Sequence, residues 1–324
     1  MTKILRQLFL ATSLAVSICS CCSAADKNPT AARKGAQQAM KTYYMGRFAI
    51  DVPAEFKLAV QSHRFRLVEI VEYDNTHDAK QKWLEHLAKV EKLQKPRGIS
   101  KIVIQDQQLS GLGKWAKGVL YYSDYMADDE CNWDIFVSYG NSAALFSLKG
   151  LLDKQQSMLV WLQEVATAYR PNSELKLSGD ARFYTRHGCI ELPYKRQEQS
   201  YARFEGHPLG LKIEIHMSET HTKVADGLMQ RLLAAVAMNF APGLGVEKIR
   251  STKRTVNGND GEEVVLRLDE GRRKELRFGW EHAGKSESGD FPTIKIEMEA
   301  AEGDTSTKLA VWDQVLSTFR SANK

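Results

Sequence analysis

The sequence predicts an α+β protein written twice: two similar domains, each an antiparallel sheet with helices packed on one face. Three observations predict it. Val160-Trp161-Leu162-Gln163 runs on to Tyr169-Arg170-Pro171-Asn172, and Val311-Trp312-Asp313-Gln314 runs on to Phe319-Arg320-Ser321-Ala322-Asn323, with one residue fewer between Gln and Arg. Each copy opens on a glycine-led alternating segment closed by proline, residues 46–53 and 188–193. Each then has an amphipathic segment followed by a proline, Pro96 or Pro242. Gly46 and Gly188 lie 142 residues apart and Trp161 and Trp312 lie 151 apart, so the copies stay in step. Self-similarity at such an offset changes the reading of the whole chain.

The elements follow in order. Lys3 and Arg6 precede an apolar run over residues 8–18, too short to span a bilayer, and Cys22-Ser23-Ala24 fits cleavage after Ala24. Residues 1–24 therefore read as a signal peptide, with an alternative in which Ile18-Cys19-Ser20-Cys21 serves as a lipobox and Cys21 is acylated. Residues 25–42 read as a tether. The first domain, 43–172, is expected to hold strands at 46–53 and 64–73 and a helix at 78–94. That helix presents Trp83, Leu84, Leu87, Val90 and Leu93 on one face. Strands at 101–106, 116–123, 133–139 and 143–148 follow, then a closing helix bearing Trp161, Leu162, Val165 and Tyr169. The second domain, 173–324, repeats the plan. Leu211, Ile213, Ile215 and Met217 alternate on a strand, and a helix is expected over 223–240. Three more alternating strands pass through Val264–Leu268, Leu276–Trp280 and Ile294–Met298. The run Asn257-Gly258-Asn259-Asp260-Gly261 has hairpin chemistry, and Trp312, Val315, Leu316 and Phe319 mark the closing helix. Pro171-Asn172-Ser173 reads as a short linker between the domains.

Charge and cysteine content narrow the function. The 45 cations less Lys3 and Arg6 leave 43 against 40 carboxylates in the mature chain. The two signs are interspersed, with no basic block, which argues against nucleic acid. Three of the five cysteines leave with the signal, so Cys131 and Cys189 remain, either as one bridge between the halves or as two buried thiols.

No catalytic grammar emerges. Gly279-Trp280-Glu281-His282-Ala283-Gly284-Lys285-Ser286 matches the phosphate-loop pattern, yet turn residues follow it where a helix N-terminus is needed. Trp280 and Glu281 also put bulk and negative charge where phosphates sit, so the run reads as a hairpin. The nucleophile elbow G-x-S-x-G is missing. His216, Glu219 and His221 have the wrong spacing for a helical zinc site. His63, His77 and His86 read as ordinary surface histidines. The expectation is a binding protein with no cofactor and no metal, and a generic envelope-binding lipoprotein and an unrecognised hydrolase stand as alternatives.

The run Gly46-Arg47-Phe48-Ala49-Ile50-Asp51-Val52-Pro53 resembles the opening strand of a known family. These are the periplasmic immunity proteins that neutralise phospholipase effectors of type VI secretion, the Tle cognate immunity proteins of the fourth class. Residues 256–320 resemble that family's C-terminal domain through Gly258 to Gly261-Glu262-Glu263, Phe278-x-Trp280-Glu281, Pro292-x-Ile294-x-Ile296-Glu297-Met298 and Leu309-x-Val311-Trp312-Asp313. The likeness spans roughly 43–322. It implies a periplasmic inhibitor of a cognate lipase that blocks substrate access or lid opening, the lipase being gripped between two lobes. The matching residues, Gly46, Arg47, Asp51, Pro53, Gly261, Glu262, Trp280, Glu281, Pro292 and Trp312, read as organisers of the fold. Family members often carry a cysteine just before the opening Gly-Arg, where this chain has Tyr44-Met45, which leaves the partner of Cys189 open. The resemblance names no contact residues. The charged segments 124–130 and 270–274 are candidate contact edges.

Overall fold

The structure, a computed structural model, describes residues 39–74, 78–172, 182–219, 227–228, 230–231, 245–269, 271 and 274–322. The signal peptide, Cys21, the tether as far as residue 38, His77, His221 and nearly all of 223–240 lie outside them. The first half runs β1 (Met40–Met45), β2 (Phe48–Pro53), β3 (Lys57–Phe65), β4 (Val68–Tyr73), α1 (Ala79–Val90), β5 (Val103–Leu109), β6 (Trp115–Tyr122), β7 (Glu130–Ser138), β8 (Ala143–Leu151), α2 (Gln155–Ala168) and β9 (Tyr169–Pro171). The second runs β10 (Phe183–Tyr184), β11 (Gly188–Ile190), β12 (Gln199–Glu205), β13 (Lys212–Ser218), β14 (Gly245–Val256), β15 (Asn259–Asp269), β16 (Lys274–His282), β17 (Thr293–Ala301), α3 (Thr305–Ser317) and β18 (Arg320–Ser321).

Twelve of these strands make one sheet in the order β14-β15-β16-β17-β13-β12-β3-β4-β8-β7-β6-β5, antiparallel at every step. Read from the central seam between β12 and β3, the two halves carry the same strand order outward, so the duplication forms one sheet with pseudo-twofold symmetry. The α+β class and the antiparallel pairing stand. Helices, however, cover both faces of the first half. Trp83 of α1 packs with Val119, Phe136 and Leu145, whereas α2 covers the alternate residues Leu120, Trp133, Ile135 and Phe146. Successive strand residues point to opposite faces, so these are two cores on either side of one sheet.

The opening strands are exchanged. β2 pairs with β18 at the far end of the chain, and its Phe48, Ile50 and Val52 pack into the second half's core against Trp312, Val315 and Phe319. Phe48 and Phe319 stack at 5.1 Å between centroids. Reciprocally, β11 of the second copy pairs with β9 of the first, and Phe183 and Ile190 join the first half's core with Leu162, Val165 and Tyr169. Each closing helix thus packs near the other copy's first strand.

Several local expectations change. Residues 40–42, read as tether, belong to β1, where Tyr43 packs edge-on against Phe204. The segment 64–73 is a hairpin rather than one strand. Arg66 and Leu67 turn it at φ +50° and +69°, and Arg66 is held there by Glu164 at 2.9 Å and the Pro193 carbonyl at 2.7 Å. That turn has none of the usual Gly or Asn, which is why periodicity ran through it. Helix α1 begins where Asp78 accepts a bond from the Gln81 amide at 2.9 Å. Trp83 and Val90 are buried, but Leu84 and Leu93 of the expected apolar face are exposed. Leu93 follows the helix end and has left its periodicity.

The echo of the closing helices is one residue out of structural register. Counting back from the matched Arg170 and Arg320, Leu162 corresponds to Trp312, and both are fully buried. Trp161 corresponds to Val311 and is 37% exposed. The missing residue between Gln and Arg rotates the visible motif by one helical step. The Asn257-Gly258 turn is as expected: both residues have positive φ, +46° and +82°, and Val256 pairs with Asn259 across a two-residue connection.

Candidate functional site

Arg47 sits near the junction of the halves, almost fully buried. Its Nε and Nη2 donate to the two carboxylate oxygens of Glu198 at 2.8 and 2.6 Å, and Nη2 also reaches the Leu192 carbonyl at 3.2 Å. Burial pushes the Glu198 carboxyl above the usual carboxylate range, although Arg47 pulls it down. Gly46, at φ +56°, bridges to Tyr184. Asp51 accepts from Arg320 at 3.0 and 3.1 Å and from the Thr42 hydroxyl at 2.7 Å. Burial alone would raise its pKa, but these bonds hold it below the ordinary value. Arg47 thereby ties the start of the first-half opening strand to Glu198, the residue just ahead of β12, and Asp51 ties that strand to Arg320 of β18. Pro53 ends β2.

The second set of motif residues builds the sheet around α3. The Trp312 indole N–H donates to Glu263 Oε1 at 2.7 Å. Glu263 is 1% exposed and also receives Arg250 at 2.9 Å and Arg254 at 3.2 Å. Both arginines continue to Asp313, at 2.7 and 2.6 Å. Burial opposes ionisation of Asp313, yet the two guanidinium groups hold its pKa low. Gly261 is required by close approach: a Cβ there would lie 2.6 Å from the Trp280 ring and from the Glu281 carbonyl oxygen. Glu262 accepts the Leu228 amide at 2.6 Å, Glu281 accepts Arg231 at 2.6 Å, and Trp280 Nε1 donates to the Arg254 carbonyl at 2.9 Å. Pro292 immediately precedes β17. Gly46, Arg47 and Pro292 line one small cavity of about 20 Å³ beside Ser200, and the other seven lie away from it. Glu263 is named in the sequence only as part of a matching run, and Arg250 and Arg254 are not named at all, because buried ion networks leave no periodic trace.

The phosphate-loop match lies across the β16–β17 hairpin. β16 runs through His282 and pairs antiparallel with β17, and the Lys285 ammonium sits 3.8 Å from the Phe291 ring centroid. Cys131 and Cys189 are free, buried thiols, each pushed up to about 11 by burial. Among the described residues no group of three or more His, Cys, Asp or Glu side chains is placed to hold a metal. His216 is exposed on β13.

Two histidines read as surface residues are not. His86 Nε2 meets Asp134 Oδ2 at 2.8 Å beneath α1, and Tyr121 also donates to that carboxylate, at 3.0 Å. His63 lies buried on the central seam opposite Ser200, with Nδ1 3.1 Å from Ser200 Oγ and Nε2 2.9 Å from the Gln61 amide nitrogen. Gln61, where a triad has a carboxylate, contacts the second ring nitrogen. The adjoining cavity of about 20 Å³ has room for about one water. Desolvation lowers the His63 pKa to about 3. The unfolded chain therefore binds a proton below pH 6.5 that the folded chain refuses until about 3, so this group makes stability fall with acidification across that window. The expected contribution is roughly 3 kcal/mol between pH 6.5 and about 4.5. His63→Gln is expected to flatten the slope of unfolding free energy over that interval relative to wild type, as read by urea titrations at stepped pH; parallel slopes would contradict the assignment.

Large apolar side chains reach solvent at separate places. Met126 is 80% exposed and Tyr125 52% in the connection between β6 and β7, within the charged segment 124–130. Val160 is 66% exposed on α2. Of the other candidate edge, 270–274, Lys274 pairs with Asp269 at 2.8 Å.

Residues 185–323 match the family model described as Tle cognate immunity protein 4 C-terminal domain. The match to this immunity domain begins just ahead of β11 and takes in α3 and β18, but omits β2, on which the domain's core closes. No curated protein matches the chain. Solved structures share the fold. The apo structure of the immunity protein TplEi of the T6SS from Pseudomonas aeruginosa is 18% identical over 88% of this chain and 98% of that one, at TM-score 0.70. A chain of the Tle4–Tli4 complex is 18% identical over 88% and 98%, at 0.72. TplEi complexed with the "L" peptide is 18% identical over 88% and 99%, at 0.66.

Proposed function

We propose that this chain is an immunity protein that binds a Tle-type phospholipase effector in the periplasm and keeps it inactive. The observation that carries the reading is the immunity-domain match over 185–323, set in a chain whose fold is that of TplEi across 88% of its length. A lipase must open a lid and admit lipid, so a partner that prefers the closed state suppresses turnover without chemistry of its own. The two repeats, 43–172 and 173–324, serve as the two lobes of the binder. Their shared sheet makes them a stiff platform, which limits the ordering cost of binding. The connection bearing Tyr125 and Met126 is our candidate contact edge, since Tyr and Met are enriched in interface cores.

Co-expression tests this reading. Cells exporting a Tle-type phospholipase that is this chain's cognate effector are expected to lyse, and to survive when the full chain is exported with it. A chain lacking residues 1–24 is expected to give no protection, because it stays on the wrong side of the inner membrane. Equal lysis with and without the exported chain would contradict the proposal.

A further inference from the structure

The first half contains a half-open cleft of about 250 Å³ between the β5–β6 connection and the end of α2. Leu112, Lys114, Tyr139, Thr167, Tyr169 and Arg170 line it, together with small residues, and none of its lining residues is acidic. We propose that this cleft receives a carboxylate-bearing side chain of the bound effector, an inference that rests on the immunity reading above.

The charge balance points to an anion. Lys114 is exposed and makes no ion pair among the described residues. Its ammonium lies over Gly140, where a Cβ would come within 2.8 Å of Nζ. Arg170 lines the same cleft. The carboxylate nearest Arg170, Glu191, is 3.5 Å away and is shared with Arg182 at 3.0 Å. Glu72, behind the Tyr169 hydroxyl, is saturated by Tyr169, Thr185 and the amides of Arg186 and His187. Two cations, Lys114 and Arg170, therefore line a cleft with no acidic lining residue, and the nearby carboxylates Glu191 and Glu72 are already engaged. The end of α2 would ordinarily repel an anion, since its free carbonyls carry the negative end of the helix dipole. Here those oxygens are occupied: Ala166 O accepts Tyr139 at 3.3 Å, Thr167 O accepts Arg170 at 2.7 Å and Ala168 O accepts the Glu191 amide at 3.0 Å.

The duplication supplies an internal control. At the pseudo-symmetric place in the second half, the connection is the two-residue turn Asn257-Gly258, and the Asn257 amide closes onto the Phe319 carbonyl. Phe319 is the counterpart of Tyr169. In the first half the connection is five residues, Ser110-Gly111-Leu112-Gly113-Lys114, and it leaves the place open with a cation at its rim. The same scaffold position is plugged in one copy and vacant and basic in the other, which marks the first-half cleft as the one available to a partner. An ammonium at a rim mainly steers association and fixes register.

Calorimetric titration of residues 25–324 with the lipase effector tests this, comparing wild type, Lys114→Glu and Lys114→Arg. Lys114→Glu is expected to weaken binding at least tenfold at low salt, with the loss shrinking at high salt. Lys114→Arg is expected to stay within threefold. Thr167→Glu, which brings a carboxylate to the lining of the same cleft, is expected to weaken binding similarly while leaving thermal unfolding unchanged. Binding by Lys114→Glu and Thr167→Glu within twofold of wild type would overturn the proposal. So would inorganic phosphate binding at residues 110–114 that does not compete with the effector, because the cleft would then serve a free anion. A wild-type chain that shows no heat of binding with the lipase overturns the immunity reading itself, a result distinct from a bound wild type indifferent to Lys114.

Discussion

Expressed alone, residues 185–323 are expected to lack a cooperative fold, although they span the matched immunity domain. The reason is the exchanged strand. The second half's core includes Met45, Phe48, Ile50, Val52 and Phe56, all from the first copy and all nearly inaccessible to water. Burying a side chain of this kind is worth about 1.5–3 kcal/mol, so five of them contribute on the order of 10 kcal/mol, comparable with the whole stability of an ordinary domain. β18 also loses its pairing with β2, and Arg320 its carboxylate partner Asp51. The fragment is expected to show a weak near-ultraviolet circular dichroism signal and no sharp thermal transition. Fusing residues 39–56 to it through a flexible linker is expected to restore both. A sharp transition close to that of the full chain from 185–323 alone would contradict the exchange as the determinant of stability.

Arg47→Met is expected to destabilise the full chain by about 3–5 kcal/mol, because it strands the Glu198 carboxylate in a site where 9% of its side chain is exposed. Breaking a buried pair costs more than removing it whole. Arg47→Met with Glu198→Leu is therefore expected to recover most of the loss. The pH dependence separates this cause from a packing defect. Glu198 already has a raised pKa through burial, and without Arg47 it rises further. The deficit of Arg47→Met is full where Glu198 would be ionised and shrinks as the pH falls through the carboxyl range, where the stranded group takes up a proton. A deficit independent of pH in denaturant titrations would contradict this account.

The sequence and the structure agree where side-chain period and turn chemistry decide the outcome. The alternation Leu211-Ile213-Ile215-Met217, the strand at 133–139 and the Asn257-Gly258 turn follow from local rules that tertiary contacts do not override. The duplication was legible too, but its topology was not. Repeated words at 46–53 and 188–193 say that two strands are alike, and nothing in them says which sheet each one joins. Partner choice is a long-range property, settled by Phe48 meeting Phe319 and Ile190 meeting Tyr169. The Arg66-Leu67 turn was hidden for a related reason: Glu164 and Pro193 hold it, each more than ninety residues away in sequence. Trp161 misled because a conspicuous residue invites alignment by identity, whereas burial follows helix phase. At the candidate site, Lys114 stands in an unremarkable glycine-rich connection, and only the comparison of the two copies shows that its cleft is open.

The central claim is that this scaffold acts by holding another protein. Its most direct test is stepwise addition of purified residues 25–324 to a fixed amount of the cognate Tle-type phospholipase, while phospholipid hydrolysis is followed. The account predicts a linear fall that reaches background at one equivalent, with a single co-migrating species on size exclusion. Undiminished hydrolysis at a large excess, with the two proteins eluting separately, would contradict it.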